Sequence, residues 1–195
     1  MKLNQLEFAL MNNPVRAASQ RYLETPLLIG PDGTLAGKQV LEVGCGRGVG
    51  VEILLARGAA SVAGFDLDPA MVALAQKRLT QYGSCARVWV GDAERIAARD
   101  ANFDVVVDYG IMHHIPGWPQ ALREIARVLK PGGTFYFEDL FKGLISPWPA
   151  RILFDHPQAT QFTGQEFRDG LEAAGLRVQI WRELRAWGVM GHARK

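Results

Sequence analysis

From Lys38 onward, short β-branched apolar runs alternate with longer segments of helical period, and this alternation restricts the fold more than any other feature. A strand buried on both faces and followed by an amphipathic helix returns most readily to a parallel neighbour, so the pattern predicts an α/β domain with a largely parallel sheet covered by helices. The runs are QVLEV (39–43), SVAGFD (61–66), ARVWVGD (86–92), FDVVVDYG (103–110) and TFYFEDL (134–140). Between them lie helical patterns over 51–58, from Pro69 with Met71, Val72, Ala75 and Leu79 on one face, and over 120–129 with Leu122, Ile125, Ala126 and Leu129 inward, closed by Pro131-Gly132-Gly133. A further helix is expected over 164–175. The stretch 176–194 reads as two strands joined by a short turn, antiparallel to each other.

With 195 residues, 48% of them hydrophobic and 22% charged, the chain is expected to form a single domain rather than a disordered or coiled-coil protein. Within it, 38–139 and 164–195 supply the alternating core, while 1–37 forms an N-terminal cap and 140–163 a lid or acceptor-binding loop. Both extra pieces are apolar: Tyr22 stands in the first, Trp148, Phe154 and Phe162 in the second, where Pro149 could start a short helix. A net charge of +2 gives no electrostatic footprint for nucleic acid, and no apolar stretch reaches membrane-spanning length. Cys45 and Cys85 have neither metal-ligand nor CxxC spacing, so no metal is expected. The N-terminal residues lack the pattern of a secretory signal, and a cytoplasmic location is expected.

In open parallel sheets ligands bind beyond the carboxyl ends of the strands, and the residues there are informative. After the first strand comes Glu42-Val43-Gly44-Cys45-Gly46-Arg47-Gly48, a tight turn whose glycines admit close backbone approach. Asp66 ends the second strand about 20 residues later, the spacing at which a carboxylate accepts ribose hydroxyls. A dinucleotide fingerprint would need a third glycine where Val49 stands, so a nucleoside without pyrophosphate fits better than a nicotinamide cofactor. Gly91-Asp92-Ala93, Asp108-Tyr109-Gly110 and Glu138-Asp139 occupy the remaining strand ends.

Taken in order, LEVGCGRG, GFDLDPAMV, GDAERI, FDVVVDYGIMHHI and LKPGGTFYFED resemble the five motifs of the class I S-adenosylmethionine-dependent methyltransferases over residues 38 to 195, closest in flavour to the small-molecule subgroup that includes quinone-ring C-methylases. The resemblance implies a Rossmann-like three-layer sandwich with a mostly parallel seven-stranded sheet and an antiparallel last strand. It implies S-adenosylmethionine as cofactor, with Gly44, Cys45 and Gly46 approaching its methionyl part and Glu42 orienting the loop or the amino group. Asp66 would take the ribose, Leu67 the adenine face, Asp92 and Ala93 the adenine edge, and Asp108 and Tyr109 the sulfonium end. Cys45 reads as a packing residue rather than a nucleophile.

The adjacent His113 and His114, just past the fourth strand, are the candidate general bases, against a packing role for one or both. The acceptor is expected to be a small aromatic or lipophilic molecule bound through Tyr22, Trp148 and Phe154, and methylated at oxygen, carbon or nitrogen. Asp108-Tyr109-Gly110-Ile111 departs from the Asn/Asp-Pro-Pro-aromatic motif of the amino-methylating enzymes, which disfavours exocyclic amines. Two further readings stand beside methyl transfer: a binding or accessory protein of this fold without turnover, and an NAD-dependent oxidoreductase. An RNA methyltransferase would need a basic surface that the sequence lacks.

Overall fold

The computed structural model describes residues 13–30, 33–141, 162–183 and 188–195. Its sheet has seven strands: β1 (Gln39–Val43), β2 (Ser61–Asp66), β3 (Ala86–Val90), β4 (Phe103–Tyr109), β5 (Leu129–Leu140), β6 (Arg177–Glu183) and β7 (Gly188–Arg194). Their spatial order is β3-β2-β1-β4-β5-β7-β6. Strands β1 to β5 pair in parallel, and β7 inserts antiparallel between β5 and β6. The order reverses between β1 and β4, so their carboxyl ends flank the crevice where a ligand is expected.

Helices cover both faces. On one side α3 (Val49–Ala56) and α4 (Pro69–Leu79) bury Leu54, Ala75 and Leu79 against Val40, Val62 and Val107. The start of α4 is set locally: Asp68 accepts a hydrogen bond from the Ala70 N–H, and Pro69 occupies the first turn. On the other side α5 (Trp118–Val128) and α6 (Gly164–Ala173) pack Leu122, Ile125, Phe167 and Leu171 onto Phe135 and Phe137. Thr163 and Glu166 close α6 with a reciprocal capping box. Phe141 and Phe162, near the two ends of the expected lid over 140–163, are both buried in this core.

Two local readings change. The fifth strand begins at Leu129 rather than Thr134, because Leu129 pairs with Phe103 and Thr134 with Val105, leaving Lys130 to Gly133 as a bulge where a turn was expected. Bulging suits these residues, since Pro131 has no N–H to give a ladder and Gly132 sits at φ 77°. The N-terminal cap is helical over 14–29: α1 (Pro14–Ser19), a π-helical turn (Gln20–Glu24) and α2 (Thr25–Ile29). Thr25 anchors it, donating from Oγ1 to the Gln20 carbonyl at 2.7 Å and sharing a 2.9 Å hydrogen bond with the Tyr109 hydroxyl at the end of β4.

Candidate active site

Beyond the carboxyl ends of β1, β2 and β4 opens a cavity of about 580 Å3, floored by the strand ends and roofed on one side by α1. This volume lies within the range of small-molecule and cofactor sites. Its glycine loop bends through left-handed backbone at Gly44 (φ 68°) and Gly46 (φ 49°). A Cβ on Gly44 would lie 2.8 Å from the Ile111 side chain, whereas one on Gly46 would meet nothing within 4 Å. Gly44 is therefore required for packing as well as conformation, and Gly46 leaves backbone open to the cavity.

Asp66 organises this loop before it holds any ligand. Its carboxylate accepts from the Gly46 N–H and the Asp68 N–H, both at 2.9 Å, and burial raises its pKa above the ordinary value. Glu42 is buried at the cavity floor, where desolvation, with Asp66 nearby, pushes its pKa well up. Among the described residues its Oε2 is buried without a hydrogen-bond partner, a feature that an ammonium donor would satisfy. A Cβ on Gly50, in the first turn of α3, would lie 2.0 Å from Glu42 Oε1. Gly50→Ala is accordingly expected to displace that carboxylate, costing about 1–3 kcal/mol of stability and weakening S-adenosylhomocysteine binding about ten-fold. Denaturant unfolding and calorimetry on the same protein check both effects.

Of the other expected residues, Cys45, Leu67, Asp92, Ala93 and Tyr109 line the cavity. Cys45 is buried and its thiol is pushed far up by desolvation, in keeping with packing rather than nucleophilic chemistry. Leu67, 56% exposed, forms one wall beside Asp92, whose Oδ1 accepts from the Glu94 N–H in a local turn. Tyr109 lines the cavity while its hydroxyl is engaged by Thr25, so the ring also ties the cap to the sheet. Asp108 also stands back, fully buried beneath the cavity, its pKa raised by desolvation and the neighbouring Asp139 carboxylate.

The histidine pair is divided by the fold. Only His114 lines the cavity. His113 is 3% exposed, with Nδ1 at 2.5 Å from Asp139 Oδ1 and its N–H donating to Asp139 Oδ2. The two rings lie 4.0 Å apart, so His113 supports its neighbour from behind. His113 is thus corrected from a candidate base to a buried partner of Asp139.

In the cap, Tyr22 is 77% exposed and absent from the cavity, which the same segment lines instead with Arg16, Ala17 and Gln20. The extra residue of the π-helical turn shifts the helical register, and no periodicity count could have singled these three out. Trp148, Phe154 and the expected helix at Pro149 lie outside the described residues. Ile111, Ile115, Pro116 and Glu94 complete the cavity on its far side. Glu94 ties this wall together by accepting from the Gly117 N–H at 2.9 Å. Val49, standing where the dinucleotide fingerprint needs glycine, is buried in the cavity wall.

Between cap and sheet, Arg16 pairs with Glu24 and lies 3.9 Å from Glu138. Burial and the adjacent Glu24 raise the Glu138 pKa to about 9. An unfolded chain releases this proton near the ordinary glutamate value of about 4.3, so the group subtracts stability progressively from there up to its folded pKa of about 9. Glu138→Gln is therefore expected to be more stable than the parent at pH 8, with the gap closing as pH falls toward 4.5, as read by urea denaturation.

The chain matches the methyltransferase domain family over residues 41–137. It is 38% identical over 130 residues to the phthiotriol/phenolphthiotriol dimycocerosates methyltransferase of Mycobacterium leprae, covering 66% of this chain and 46% of that one. With the Mycobacterium tuberculosis (strain H37Rv) protein of that name it shares 43% identity over 121 residues, 60% of this chain and 44% of the relative. The chain thus spans about half the length of the curated relatives it matches. Among solved structures, an S-adenosylmethionine-dependent methyltransferase from Mesorhizobium loti superposes with a TM-score of 0.71 at 18% identity, over 83% of this chain and 92% of that one. A buried Glu42 oxygen without a partner among the described residues, an open Gly46 and a carboxylate at Asp66 fit the amino-acid and ribose parts of S-adenosylmethionine, the cofactor that the sequence resemblance implies. The chain belongs to the methyltransferase domain family.

Proposed function

We propose that this protein transfers the methyl group of S-adenosylmethionine to a hydroxyl oxygen of a lipophilic small molecule. The observation that carries the reading is one cavity lined by the carboxylates Glu42, Asp66 and Asp92 at the strand ends and by the apolar Ile111, Ile115 and Pro116, with Glu94 and His114, after β4. Relatives named for phthiotriol and phenolphthiotriol dimycocerosates support an apolar acceptor that carries hydroxyls. The cofactor supplies a sulfonium-activated methyl group, an excellent electrophile. The protein's own task is to align the acceptor oxygen, exclude water and accept the hydroxyl proton. The exposure of His114 to the cavity, with His113 held behind it by Asp139, supports His114 for the last of these.

Asp66→Ala is expected to weaken cofactor binding by about 1–3 kcal/mol, since a ribose hydroxyl loses a charged acceptor. Calorimetry with S-adenosylhomocysteine measures it, and an unchanged affinity removes the nucleoside role of Asp66. The acceptor reading is tested with methyl-labelled S-adenosylmethionine and a panel of long-chain diols, phenols and polar amines. Label in an ether linkage on a lipophilic alcohol is the expected result. Transfer confined to polar amines, or none to any hydroxyl, would refute the reading.

A further inference from the structure

The cap is amphipathic in the reverse sense. Over 13–30 its polar side chains turn toward the protein: Gln20 and Thr25 are buried, Arg16 and Gln20 line the cavity, and Glu24, the one carboxylate there, accepts from Arg16 and Ser19. Every exposed residue of this stretch carries an apolar or aromatic side chain instead: Pro14, Val15, Ala18, Tyr22, Leu23 and Leu27. Val15 and Tyr22 are 78% and 77% exposed, Leu23 and Leu27 57% and 49%. Steps of three and four residues carry the row from Val15 through Ala18 to Tyr22, and the step on to Leu27 includes the residue that the π-helical turn adds. Single exposed leucines are ordinary, but a surface helix normally sets charge outward, and a continuous apolar row marks a contact.

We propose that this row docks the protein on an anionic lipid bilayer, the helix lying in the plane of the headgroups, so that a lipophilic acceptor passes from the membrane into the cavity beneath the same helix. Charge selects this occupant. Arg21 stands next to Tyr22, and the exposed Arg182 of β6 reaches the Leu27 carbonyl at 3.4 Å, while Glu24 is engaged on the inner side. Apolar side chains bordered by guanidinium groups are what an interfacial helix presents to phosphate headgroups. Size argues against a second copy of the chain: a row about 18 Å long and one helix, about 10 Å, wide offers roughly a quarter of the ~800 Å2 that each partner of a stable complex buries.

The position of the row gives docking a purpose. The helix has the row on one side and the cavity on the other, so docking sets the cavity about 10 Å, one helix diameter, from the lipid. An interfacial helix sinks its apolar face about 5–10 Å into the boundary of headgroups and acyl chains. A hydroxyl on an anchored lipid then reaches the site without its apolar part crossing water.

That purpose rests on the lipophilic acceptor proposed above, whereas the docking is tested without any acceptor. Flotation of the full chain with unilamellar vesicles is measured for phosphatidylcholine alone and for an equal mixture with phosphatidylglycerol. The parent is expected to float with the mixed vesicles and to be released by salt. Leu23→Gln combined with Leu27→Gln should weaken that binding about ten-fold or more, and Arg182→Glu about five-fold, both with an unchanged urea midpoint.

No flotation of the parent, equal flotation with neutral vesicles, or full binding by the double variant overturns the proposal. So does a lower urea midpoint in the double variant, which assigns the row to packing within the chain, or loss of a dimer in sedimentation, which makes it an interface between copies. Vesicle binding without methylation of any hydroxyl overturns the acceptor reading and leaves the docking. Hydroxyl methylation without vesicle binding does the opposite.

Discussion

His114→Gln is expected to lower kcat for a hydroxyl acceptor by about 10²-fold or more, while leaving the affinity for S-adenosylhomocysteine within a factor of about two. The argument is positional. His114 is the member of the pair on the cavity, in the short turn Met112–His114 where its backbone N–H donates to the Ile111 carbonyl at 3.0 Å. Glutamine retains size and hydrogen bonding but cannot take a proton, so the loss isolates basicity. His113→Gln should behave differently: it removes the partner of a buried Asp139, and the expected penalty falls on stability by about 1–3 kcal/mol. Single-turnover kinetics and denaturant unfolding on both variants decide it. An unaltered kcat in His114→Gln would leave alignment and desolvation as the whole of the protein's contribution.

The largest stability effect is expected at Phe167. This fully buried ring of α6 stacks on Phe162 at 4.6 Å and meets the Phe137 ring edge-on at 5.5 Å, with Trp118 and Trp181 just beyond. Phe167→Ala removes the centre of that cluster and leaves a cavity that four rigid neighbours cannot close. The cost is about 3–5 kcal/mol, a fall in Tm of roughly 10 °C for a chain of this size. Differential scanning calorimetry measures it, and a loss below about 1 kcal/mol would mean that the rings repack.

The sequence foretold most of the sheet because its strands are buried on both faces. Val105, Val106 and Val107 form a run that no amphipathic helix would carry, and all three are buried in β4. The same logic failed at Lys130 to Gly133, where Pro and Gly signal a turn but serve equally well in a bulge. In the site, legibility followed the backbone: the positions of Gly44, Gly46 and Asp66 on the cavity are set by strand ends and φ angles, which spacing reveals. What depends on which way a side chain leans was hidden. Nothing in His113-His114 says which ring faces Asp139, and Tyr109 follows a strand motif yet spends its hydroxyl on Thr25, 84 residues earlier. Arg16 belongs to a segment whose register a π-helical turn resets.

That Thr25–Tyr109 bond also orders assembly in time. A ribosome releases the cap helix long before β4 exists, and loop-closure entropy must be met before so distant a contact gives any return. The helix therefore waits, and docks only when β1 and β4 already lie side by side. The roof of the cavity is the earliest part of the described chain to be synthesised and among the last to settle, so the site that takes the cofactor is completed after the core it stands on.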